Sequence, residues 1–164
     1  MHKIILTDAE PGLNPSSEEL TKIIIERLGL MPRKKGSTKN MYRVLLELYE
    51  RAKLASKLKD QRHSIMTVDE MALFAGITKQ TMYEYLPRWL GLNFITKSKF
   101  IDKNGKNVVG YRLNGNTIEE AFERVKITIN NNLNFTGRYI KELQKLIKNE
   151  KIRATQKQKK LFES

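Results

Sequence analysis

Between Thr78 and Arg88 the chain reads Thr-Lys-Gln-Thr-Met-Tyr-Glu-Tyr-Leu-Pro-Arg, and six of these side chains carry chemistry suited to a polyanion. The primary amide of Gln80 sets a donor beside an acceptor, the pattern that matches an adenine edge. Lys79 and Arg88 bring positive charge that can reach a guanine edge or a phosphate. The hydroxyls of Thr81 and Tyr83 suit phosphate oxygens, which orient a bound chain without specifying sequence, and Thr78 heads the same group. Tyr83 also reads as an aromatic at the edge of a core. Glu84 reads as a solvated charge that repels phosphate.

A second group is Lys97, Lys99, Lys103, Asn104, Lys106 and Arg112. Lysines at a ribbon tip can lie along a phosphate backbone, and they also guard edge strands against aggregation. Both uses fit. A third group, Arg33, Lys34 and Lys35, forms an arm able to reach a groove. A solvated linker is the equal alternative.

Other chemistries find little support. With no cysteine there is no disulfide, thiolate nucleophile or cysteine zinc site. His2 and His63 stand far apart, and no His-Glu or Cys-His group has metal-ligand spacing. Gly36-Ser37-Thr38 after Lys34 and Lys35 lacks the order of a phosphate-binding loop. Asp69 and Glu70 are explained as helix-start residues. The expectation is a protein that is not an enzyme and uses no cofactor or metal.

The elements that must position these groups are legible in the pattern. Ser16 with Glu19 resembles a capping box and opens a short helix that Gly29 stops. Residues 32–37 look like a basic linker. Met41, Val44, Leu45, Leu48, Ala52, Ala55 and Leu58 recur at helical spacing, predicting a helix over 38–58. Thr67 and Glu70 form a second capping box for a short helix to Ala75, which Gly76 ends. Thr78 caps the next helix, which carries Met82, Leu86, Trp89 and Leu90 on one face. Pro87 predicts a kink or an early end between Tyr85 and Leu90.

Two strand-like runs follow, 93–102 and 107–113, around an Asn104-Gly105 hairpin signal. Asn116 or Thr117 then caps a helix that Asn130-Asn131-Asn132 interrupts. A final helix carries Tyr139, Ile140, Leu143, Leu146 and Ile147. Beyond about Ile152 the basic, polar sequence predicts fraying.

Residues 68–86 resemble the helix-turn-helix of bacterial and archaeal transcription regulators. The resemblance rests on Ala72 where the helices cross, Gly76 at the turn, Ile77 beneath it, Thr78 as cap, and Met82 and Leu86 packing back. With the preceding helix and the hairpin it extends to the winged form and covers residues 38–113. It implies a mainly α fold with a small β-hairpin, a winged helix-turn-helix with flanking N- and C-terminal helices. It further implies double-stranded DNA as partner, with the helix from Lys79 in the major groove. Thr81 and Tyr83 are similar to a Thr-x-Tyr pair that several regulator families set on the DNA backbone.

The 164 residues suit one domain with appendages. The predicted division is an N-terminal segment at 1–36, the winged domain at 37–115, helices at 116–152 and a basic tail at 153–164. The helices at 116–152 could form a homodimer interface, or equally pack on the chain's own core. No apolar run reaches the roughly 18 residues of a membrane span, and Ile4–Leu6 is too short for a secretory signal. A cytoplasmic, nucleoid-associated protein is expected.

Net charge is +13. That field attracts polyanions, although plain solubility is a competing reason for it. The charge is polarised, with a net of −2 over residues 1–30 and +6 over 138–164. Three functions therefore compete: a transcription regulator, a nucleoid or chromatin protein of low sequence selectivity, and an interaction module in a replication or RNA-processing assembly.

Overall fold

Apolar residues every third or fourth position from Met41 onward give one helix a continuous greasy stripe, and the core forms around it. The computed structural model describes residues 3–32 and 40–163. It contains helices α1 (Ser17–Arg27), α2 (Tyr42–Leu58), α3 (Val68–Ala75), α4 (Lys79–Gly91) and α5 (Ile118–Glu163). Strands β1 (Ile95–Ile101) and β2 (Asn107–Leu113) form an antiparallel hairpin, and a 3-10 turn, Gln61–Ser64, follows α2. The protein is thus mainly α with one small β-hairpin.

The chain divides into two compact units, Met1–Lys126 and Ile127–Ser164. In the first, Val44, Leu45 and Leu48 of α2 are wholly buried, as are Met71 and Ala75 of α3 and Met82 and Trp89 of α4. Ile25 of α1, Phe94 before β1, and Ala121 and Val125 of α5 complete this core. Each fully buried Val, Leu, Ile, Met or Phe among them contributes roughly 1.5–3 kcal/mol against chain entropy, and each alanine less. The second unit is the remainder of α5, a single helix.

The N-terminal segment is part of the first unit. Tyr42 Oη donates to Glu18 Oε1 at 2.8 Å, tying α2 to α1. Ser16 Oγ accepts from Glu19 N–H at 3.1 Å as predicted, but Glu19 Oε1 turns back to accept from Gly12 N–H at 3.2 Å. Only half of that capping box forms. The Thr67–Glu70 box is complete, with both hydrogen bonds present.

Arg51 fastens α2 to α3. Its guanidinium bonds Glu47 at 3.0 Å, the Ile65 carbonyl at 2.9 Å, and Glu70. Burial opposes the charge on Glu70, but hydrogen bonds from Arg51 and from Thr67 outweigh it and hold the carboxyl below its usual range.

The segment between the 3-10 turn and α3 touches the hairpin. Met66 N–H donates to the Tyr111 carbonyl at 2.8 Å, and Tyr111 N–H to the Met66 carbonyl at 2.7 Å. Gly110 permits this approach, because a Cβ there would lie 2.4 Å from the Met66 carbonyl oxygen.

Four sequence expectations are corrected. The described start of α2 is Tyr42, not residue 38. α4 runs through Pro87 to Gly91 without an early end. Proline in a helix interior costs about 3 kcal/mol, and burial of Leu86 and Trp89 on either side of it offsets that cost. Finally, Asn130–Asn132 do not interrupt α5, which continues past Ile152 to Glu163. Asparagine in a helix costs at most about 0.7 kcal/mol relative to alanine, and the Lys- and Gln-rich end is built of good helix formers. Thr117 Oγ1 caps the start, accepting from Glu120 N–H at 3.1 Å.

Two outcomes test this packing. Gly110→Ala is expected to cost about 1–3 kcal/mol in urea unfolding, because backbone must move. Glu70→Gln is expected to cost about 1 kcal/mol at pH 7. Since the folded-state pKa of Glu70 is depressed, its contribution is present above about pH 4.3 and is lost as pH falls through the lower folded value. The gap between the thermal midpoints of wild type and variant should therefore close on acidification.

Candidate nucleic-acid interface

The tight turn between α3 and α4 begins with Gly76 in the left-handed region, φ 68°. Ile77 N–H reaches the Ala72 carbonyl at 3.0 Å, closing the turn over a buried Ala72. Ile77 itself is only half-buried. Thr78 Oγ1 then accepts from Thr81 N–H at 3.1 Å, so α4 starts where the residue types require. The Thr78 and Thr81 hydroxyls lie 2.8 Å apart. Met82, Leu86 and Trp89 face inward, and the Trp89 ring stacks on Phe94 with centroids 6.1 Å apart.

With that face fixed, the first turns of α4 present Lys79, Gln80, Tyr83 and Glu84 to solvent. Thr78 is exposed and Thr81 half-buried. Lys79 Nζ stands 3.6 Å from Asp69 Oδ2, both side chains being well exposed. Such a pair contributes at most about 1 kcal/mol and yields readily to a competing phosphate. Asp69 is a neighbour that sequence spacing did not reveal, since it was explained as a helix-start acid.

Arg88 behaves differently. It is half-buried and donates to the Gly29 carbonyl at 3.1 Å, joining the end of α4 to the turn after α1. Its guanidinium is a strut within the fold and does not join the exposed group.

The hairpin pairs Lys97 with Tyr111 and Lys99 with Val109, while Arg112 pairs with Thr96. Directly opposed residues share a face and faces alternate along a strand. Lys97 and Lys99 therefore project on the Tyr111 side, and Arg112, half-buried, on the other. Burial raises the pKa of the Tyr111 hydroxyl, and the nearby Tyr83 adds to the shift. Tyr111, on the hairpin side that carries Lys97 and Lys99, is thus a neighbour of Tyr83 of α4.

At the tip, Asp102 Oδ1 accepts from Asn104 N–H and Lys106 N–H, each at 2.9 Å. Gly105 takes φ 76°. This closed loop holds Lys103, Asn104 and Lys106 in solvent. The arm residues Arg33, Lys34 and Lys35 lie outside the described residues.

Among the described residues no group of three or more His, Cys, Asp or Glu could hold a metal ion, and no helix is long and apolar enough to cross a membrane. The site offers exposed cations, an amide and hydroxyls, groups able to bind a polyanion.

Removing the Arg88 strut by Arg88→Ala should cost about 1 kcal/mol in urea melts, with less loss of retention on heparin than Lys79→Ala produces. A larger heparin shift for Arg88→Ala would return it to the surface group. Comparison of the chain with protein-family models, with curated proteins and with solved structures gave no match in any of the three.

Proposed function

We propose that the chain is a winged helix-turn-helix protein that binds duplex DNA without catalysis, as a transcription regulator. α3 and α4 serve as the helix-turn-helix and β1–β2 as the wing. The observation that carries this reading is the exposed start of α4, with Lys79 and Gln80, followed directly by a hairpin whose lysines are also exposed. The order of α2, the Met66 bridge, α3, α4 and hairpin supports the winged form.

In this reading α4 enters the major groove by its N-terminal turns, where Gln80 contacts adenine and Lys79 a guanine or phosphate. Thr81 and Tyr83 contact the phosphate backbone. Lys103 and Lys106 follow the backbone beside the wing, and Lys97 and Lys99 extend that cationic track. The lysine-rich segment from Arg138 to Lys160 favours a second reading, an abundant nucleoid protein with little sequence preference.

The test is a binding-site selection followed by footprinting. A regulator protects one preferred sequence; a nucleoid protein covers duplexes evenly. On the preferred site Gln80→Ala should cost about 1–3 kcal/mol, with little change on other duplexes. Lys103→Ala should weaken every duplex alike and lower the slope of log affinity against log salt by about 0.9. Site preference unchanged in Gln80→Ala removes the base contact, and duplex affinity indifferent to salt removes the whole reading.

A further inference from the structure

The second unit is a single helix, so nothing else in that unit covers its apolar side chains. Leu133, Ile140, Leu143, Leu146 and Ile147 are each between 44% and 61% exposed. A run of large, half-exposed apolar groups along one helix needs a partner. Their spacing specifies its form. Leu133, Ile140, Ile147, Ala154 and Leu161 recur every seven residues, and Ile129, Thr136, Leu143, Glu150 and Lys157 form a second such series. The two series alternate at spacings of four and three, the pattern of a helix seam that supercoils with another helix.

We propose that residues 127–163 pair with the same segment of a second copy, and that the two helices run antiparallel. Charge decides the direction. In a parallel pair each residue meets its own counterpart, so Glu150 would face Glu150 and Lys157 would face Lys157 inside the seam. In the antiparallel register centred on Lys145, Leu143 packs on Ile147 of the second copy, Ile129 on Leu161 and Thr136 on Ala154. Glu150 then lies against Ile140, and the Lys157 stem lies along Leu133 with its ammonium reaching water.

The flanks agree. Tyr139 faces Arg153, Asn132 faces Lys160 and Gly137 faces Lys151. Residues 127–137 carry no charge, whereas 138–163 hold nine basic and three acidic side chains. Antiparallel pairing lays each neutral third over the partner's cationic end, and no cation meets a cation across the seam. The overlap is about 55 Å long and 10 Å wide, roughly 1,100 Å² counting both copies, near the lower bound for a specific pair.

This inference is independent of DNA binding. Light scattering on the full chain at micromolar concentration should give twice the 19.1 kDa chain mass. Leu143→Lys combined with Ile147→Lys should give a monomer with unchanged helix content. The chain has no native cysteine, so single cysteines report direction. Leu146→Cys, beside the two-fold axis, should form a disulfide-linked dimer on oxidation, and Glu150→Cys should not. A monomeric wild type, a dimeric double lysine variant, or cross-linking by Glu150→Cys in place of Leu146→Cys would overturn the proposal.

Discussion

A two-stranded ribbon is at best marginally stable alone in water. Here its root is fixed by two backbone hydrogen bonds between Met66 and Tyr111, and those bonds exist because residue 110 has no side chain. Met66 in turn immediately precedes Thr67, the cap of α3, whose Glu70 partner is held by Arg51 from α2. One short segment therefore carries the position of the hairpin to the helix pair. The placing of the hairpin beside α3 depends on that chain of contacts.

The arginines and lysines divide their work. Arg51 links α2 to α3, Arg88 links α4 to the turn after α1, and Arg27 donates to the Ala9 carbonyl at 2.8 Å. Arg62 bonds Asp60, and this contact, with the Arg62 backbone N–H, lowers the Asp60 pKa to about 2. Arg138 lies over the Phe135 ring. A planar fork with several donors suits such intramolecular bonding. The lysines of the hairpin stay in solvent as point charges. The net charge of +13 thus overstates the charge available to a partner.

Features set by near neighbours in sequence were legible. Thr67, Thr78 and Thr117 cap helices where their types place them, Gly76 takes the left-handed turn, and the hairpin closes around Asn104-Gly105. Features set by distant partners were not. Arg88 looks like a surface cation until Gly29, 59 residues earlier in the chain, is seen to accept its hydrogen bond. Pro87 reads as a breaker because its local cost is visible and the burial around it is not. The asparagine run reads as an interruption because a small per-residue cost was weighed without the cooperativity of a long helix. That Lys97 and Lys99 share the Tyr111 side follows from the strand register, which alternation alone leaves open.

Trp89 is the only tryptophan in the chain, and it is fully buried against Phe94 where α4 gives way to β1. Its emission is consequently an optical gauge of the first unit alone. The distal part of α5 contributes most of its signal to far-ultraviolet dichroism and none to that fluorescence. Melting followed by the two methods can thus assign separate transitions to the two units, with no label added.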